Sequence, residues 1–239
     1  MDLPGLNSVP ATLREALRDY ALRLRAHGGP HVLGLTLYGP VAGSAFDATL
    51  HTISNVVVLD VVELDILRRL AGEGSRFGRN YITAPLVVTP SFLQGSRDTF
   101  PLEFIEIQQR RIVLFGDDLF GPLLFDPAHV RLQCERELKV LAVGMRQAVV
   151  ADGAKEAALR RAVLPALLGM LRVLRGLLWL KELRHPLSAA GVLVEVENLA
   201  GRHLPGVRRA LEAPSAVDWL VFEKLYSDVE TLGQIADGW

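Results

Sequence analysis

Apolar positions recur every three to four residues over residues 12–26, where Leu13, Ala16, Leu17, Tyr20, Ala21 and Leu24 share one side, so this stretch predicts an amphipathic helix. Gly28, Gly29 and Pro30 end it. The period then changes. Residues 31–38 (HVLGLTLY) and 55–59 (NVVVL) are nearly continuous apolar runs that predict buried strands, with a Gly-rich loop at 39–44 between them. Residues 61–70 predict a second helix and residues 85–88 a short strand. Residues 102–107 (LEFIEI) predict a strand on which Glu103 and Glu106 point to opposite faces, and residues 111–115 predict one more strand, closed by Gly116 and Asp117.

From Pro127 onward the pattern is helical. Val130, Cys134, Leu138, Leu141, Met145 and Val149 form one stripe, with Glu135 and Lys139 paired a turn apart on the other side. Further helices are predicted at 155–183, with Pro165 as a kink or restart, at 188–199, at 205–212 and at 216–236. Strands followed by helices imply an α+β chain: an α/β domain over residues 1–120 and a helical bundle over 121–239, divided in the turn-rich segment 116–127.

The most apolar stretch, residues 162–183, has the length of a membrane span, but Arg172, Arg175 and Lys181 interrupt it. Leu164, Leu167, Leu168, Leu171, Leu174 and Leu178 give it a single apolar face, so the expectation is a core helix and no membrane. A formal net charge of -1, from 26 basic and 27 acidic residues, supplies no global field to draw nucleic acid. One cysteine, Cys134, leaves no intramolecular disulfide, and the six histidines lack the spacings of a zinc site. With no basic, apolar leader at residues 1–10, the expected compartment is the cytoplasm.

Nucleotidyl transfer needs backbone donors that hold a triphosphate and carboxylates that hold Mg²⁺ against it. Two carboxylates at alternate positions entering a strand fall on one face, and a neighbouring strand supplies a third. The segment LTLYGPVAGSAFDATLHTISNVVVLD, residues 35–60, resembles the opening motif of the DNA polymerase β-like nucleotidyltransferases, which include bacterial antibiotic nucleotidyltransferases. In that family a strand ends in Gly-Ser, and about ten residues later Ser-Asp-x-Asp leads into an apolar strand. Here Tyr38-Gly39 and Thr52-Ile53-Ser54-Asn55-Val56 occupy those places. Residues 98–107 and 112–118 are similar to the later strands of such domains, and the helical half is similar to the bundle often fused behind them, including the HEPN type.

The resemblance implies a nucleotidyltransferase-like mixed sheet with a nucleotide-sized cleft between sheet and bundle. It also exposes departures. In one register the carboxylate positions hold Ile53 and Asn55, in the other Asn55 and Val57, so both carboxylates are lost either way. Ile cannot ligate Mg²⁺, and a neutral amide is a poor ligand for a hard dication. Pro40 stands where the phosphate-loop Ser would be and offers neither hydroxyl nor N–H. The resemblance leaves Gly39, Gly43, Ser44 and Asn55 as nucleotide-binding candidates, Glu103 as a catalytic remnant, and no expected metal or cofactor. The HEPN ribonuclease spacing is absent, since Arg184-His185 and Arg202-His203 are adjacent pairs.

Three functions follow as expectations. The first is a catalytically degenerate nucleotidyltransferase-like protein that keeps the fold and a nucleotide site. The second is an active Mg²⁺-dependent enzyme with relocated ligands drawn from Asp47, Asp60, Glu63 and Glu103, with Glu135 as a candidate base. The third is an interaction protein whose leucine-rich helix at 164–180 forms a homodimer or takes a protein partner.

Overall fold

The computed structural model describes residues 3–43, 46, 51–71, 77–78, 80–152, 155–183, 186, 188–213 and 216–238. The chain is α+β: a four-stranded mixed sheet and, among the described residues, nine α-helices. It divides into two compact units, Met1–Arg97 with Phe104–Leu124, and Asp98–Glu103 with Phe125–Trp239.

In the first unit, helix α1 (Arg14–Gly28) precedes strands β1 (Val32–Tyr38) and β2 (Ser54–Leu59). Helix α2 (Leu64–Ala71), strand β3 (Leu86–Val88), helix α3 (Pro90–Gly95), helix α4 (Pro101–Gln109) and strand β4 (Arg111–Phe115) follow. The sheet order is β3-β2-β1-β4; β1 is antiparallel to β2 and β4, and β2 is parallel to β3. Leu17, Tyr20, Ala21 and Leu24 of α1 share one buried cluster with Leu35 and Leu37 of β1 and with Ile53, Val57 and Leu59 at β2. The i, i+3, i+4, i+7 stripe of α1 therefore meets alternate residues of the central strands, as the two periods require. Gly5, in the 3-10 turn Pro4–Ser8, lies against β4, where a Cβ would stand 2.2 Å from the Val113 carbonyl oxygen.

The segment LEFIEI corrects the sequence reading, because it is the body of helix α4 and not a strand. Its polar residues Glu103, Glu106 and Gln109 recur every third position, which places them along one side of a helix, and Pro101 opens the first turn without leaving an N–H unused. The division between the units passes through this helix, whose first three residues belong with the second unit. Helix α3, capped by the Thr89 hydroxyl accepting from the Phe92 N–H at 3.1 Å, was not foreseen either.

The second unit contains helices α5 (Pro127–Asp152), α6 (Glu156–Leu180), α7 (Ala189–Ala200), α8 (Pro205–Glu212) and α9 (Trp219–Gly238). On α5, Val130, Cys134, Leu138 and Met145 are buried while Leu141 and Val149 are half-buried. Helix α6 continues through Pro165 and does not restart there. Leu167, Leu171, Leu174 and Leu178 are buried, but Leu168, assigned above to the same apolar face, is 62% exposed. Helix α6 is long and apolar enough to cross a membrane by length and composition, and more than half of its apolar window is buried within the chain. Gly176 lets α6 pass close to its neighbours: a Cβ there would stand 2.3 Å from Leu102 and 2.8 Å from the Cys134 sulfur.

Buried carboxylates fix the start of α8. The Leu204 N–H donates to Glu197 at 2.8 Å and the Val207 N–H donates to Asp228 at 2.9 Å, so donors that the helix cannot satisfy itself are met from α7 and α9. Desolvation pushes the Asp228 carboxyl up to about 6 against the lowering effect of the Val207 and Gly206 N–H groups.

Candidate functional site

The motif positions meet where β1 ends and β2 begins. Tyr38 is paired with Ser54 across the antiparallel ladder, so Gly39 and Asn55 lie at the same end of the sheet. Gly39 adopts φ +77, a conformation that favours glycine, and opens a 3-10 turn, Gly39–Ala42. Its N–H donates to the Arg110 carbonyl at 3.0 Å, and the Gly43 N–H donates to the Pro40 carbonyl at 3.0 Å. The two donors that a phosphate would require from these glycines are thus committed to the backbone. Ser44 and Asp47 lie outside the described residues, as do Arg184 and His185.

Ile53 is fully buried and Asn55 is 1% exposed. Both point toward the core beneath α1, as alternation along the strand with Val57 and Leu59 dictates. The Asn55 carboxamide is used at both ends: its oxygen accepts from the Tyr20 hydroxyl at 2.7 Å, and its nitrogen donates to the Thr83 carbonyl at 3.0 Å. Burial raises the pKa of Tyr20 more than this hydrogen bond lowers it, which keeps the hydroxyl a donor. The Tyr20 ring also packs edge-on against Phe77 with centroids 4.6 Å apart.

Backbone bonds close the same corner. The Ile53 N–H donates to the Tyr81 carbonyl at 2.7 Å, the Thr83 N–H donates to the Ile53 carbonyl at 3.1 Å, and the Thr83 hydroxyl donates to that carbonyl at 3.2 Å. Tyr81 takes φ +62 to make this return. The strands themselves, VLGLTLY, SNVVVL, LVV and RIVLF, carry no acidic residue.

Within the first unit, the described acidic candidates Asp60 and Glu63 do not gather at this end of the sheet. Asp60 follows the far end of β2 and pairs with the His31 imidazole at 3.0 Å. Glu63 is exposed immediately before α2. Glu103 is on helix α4 and not on a strand neighbouring β2, and it belongs with the second unit, where it accepts from Gln133 at 2.8 Å and Arg172 at 3.1 Å. Glu135 bonds to Lys139, which more than any other group holds its carboxyl below the usual range. Among the described residues, no three His, Cys, Asp or Glu side chains gather to hold one metal ion.

The sequence reading missed the Tyr20–Asn55–Thr83 chain. A signal for it existed: an Asn within a run of buried aliphatic residues must find partners, since leaving its amide dry and unpaired costs roughly 1–3 kcal/mol. No family model matches this chain, and no curated protein matches it.

Proposed function

We propose that the chain is a catalytically degenerate nucleotidyltransferase-like protein whose motif positions serve as the core of a scaffold and do no metal-dependent chemistry. The observation that carries this reading is the Asn55 carboxamide, buried and bonded at both ends to Tyr20 and Thr83. A strand, a turn opened by Gly39 and an adjacent second strand keep the outline that the resembling family uses, and this supports the family reading. Ile53 and Asn55 facing the core, acid-free strands and the bonded N–H groups of Gly39 and Gly43 support the degenerate half of it. Pyrophosphate release from ATP, GTP, CTP and UTP with Mg²⁺ or Mn²⁺, over a panel of hydroxyl-bearing acceptors, tests the reading. Release at the protein-free background is expected, and metal-dependent release refutes it.

A second reading, self-association through the helical unit, draws support from α5 rather than from the leucine-rich helix α6, most of whose large apolar side chains are covered. Leu132, Val140, Val143 and Val150 of α5 are 47–84% exposed. Sedimentation equilibrium decides it: a monomer at tens of micromolar removes its support.

A further inference from the structure

The end of the sheet away from Gly39 holds a cavity of about 350 Å³, within the range of small-ligand sites. Leu33, Val58 and Leu119 give it apolar walls, and Gly34 and Gly116 leave its floor as bare backbone. It exists because pairing is irregular on both sides of β1 here: the register shifts between Val32 and Gly34 against β2, and between Leu35 and Thr36 against β4. Gly116, at φ +84, brings its backbone so close to β1 that a Cβ would stand 2.4 Å from the Leu33 carbonyl oxygen. No side chain at 34 or 116 fills the space that opens.

Among the described residues, Asp117 is the one ionisable residue lining this cavity. Its loop is fixed from two sides. Arg111 forks onto the Asp118 carboxylate at 2.7 and 2.5 Å, and that carboxylate accepts from the Gly121 N–H at 3.0 Å. The Gln108 amide nitrogen lies 2.8–3.1 Å from the Phe120, Gly121 and Leu123 carbonyls. Asp118 is thereby used up and its carboxyl held below the ordinary range, chiefly by Arg111. Asp117, exposed beside it, makes no hydrogen bond or ion pair with any described residue. A carboxylate anchored through its neighbours yet without a partner of its own is preorganised to accept from something that enters the cavity.

We propose that this cavity binds an alkylammonium group, with Asp117 accepting from the ammonium and the aliphatic walls taking the adjoining methylenes. Among the described residues no aromatic ring lines it, so a quaternary ammonium held by ring faces does not fit, and no basic residue lines it to compete for the carboxylate. The same group is carried by small amines and by lysine side chains on other proteins.

Amide ¹H–¹⁵N spectra of the full chain, titrated with n-butylammonium, with N-acetyl-lysine methylamide and with n-butanol, test this. Saturable shifts at Gly34, Gly116 and Leu119 are expected with the ammonium and not with n-butanol, weakened at least tenfold in Asp117→Asn. Equal response to the blocked lysine assigns the site to a protein-borne ligand; response to n-butylammonium alone assigns it to a free amine. Absence of saturable shifts with both amines, or unchanged affinity in Asp117→Asn, overturns the proposal.

Discussion

The Tyr20 hydroxyl and the Asn55 carboxamide oxygen are 2.7 Å apart although 35 residues separate them in the chain. This bond ties helix α1 to the first residues of β2 inside an apolar cluster. It also occupies the atom that would have to face a ligand.

Replacing Asn55 by Asp is therefore expected to damage the fold without creating a metal site. The new carboxylate could still accept from Tyr20, but its second oxygen would meet the Thr83 carbonyl where Asn55 now donates. Burying that acceptor pair costs on the order of 3 kcal/mol. Urea titration should register this loss, and adding Mg²⁺ should leave the midpoint of Asn55→Asp unmoved. Tyr20→Phe, which leaves only the carboxamide oxygen unmet, should cost about 1–3 kcal/mol.

Much of the fold was legible because most elements carry a clean period. The stripe of α1 and the aliphatic runs of β1 and β2 mark their elements within a few residues, and Pro205 and Glu212 bound α8 as expected. LEFIEI failed because six residues alternate and step by three about equally well; Pro101 and Gln109, just outside it, decide for a helix. The site was less legible. That none of Ile53, Asn55 and Val57 is a carboxylate could be read directly, whereas the direction in which Asn55 points depends on α1 covering that face of β2, a tertiary contact with no local signature. The cavity beside Asp117 depends on two register shifts that no composition or periodicity announces.

Asp228 is expected to make stability depend on pH in a sense opposite to the usual carboxylate. Its folded value of about 6 lies above the ordinary 3.8, so its contribution is fully present below about pH 4 and is lost as pH rises through 6. Between pH 7 and pH 5 this group should add on the order of 1 kcal/mol. Chemical denaturation across this range should show the protein gain stability relative to Asp228→Asn by that amount as pH falls from 7 to 5. A constant difference would mean that Asp228 titrates normally in the folded chain.

Two glycines should respond oppositely to alanine. At Gly206 a Cβ would stand 2.1 Å from the Leu225 backbone nitrogen, so α8 and α9 must separate, and a loss of about 3 kcal/mol is expected. At Gly144, exposed within α5, nothing lies within 4 Å of the added methyl, and relief of glycine's backbone freedom should raise stability by roughly 0.5–1 kcal/mol. Thermal melts of both variants against the parent chain check the pair.

Calorimetric titration with ATP, GTP and CTP, each with and without Mg²⁺, asks whether the chain holds a metal-dependent nucleotide site. With Ile53 and Asn55 turned into the core, no heat that depends on Mg²⁺ is expected for any of the three nucleotides. Saturable binding that appears only when Mg²⁺ is present would contradict it and restore an enzyme with relocated ligands.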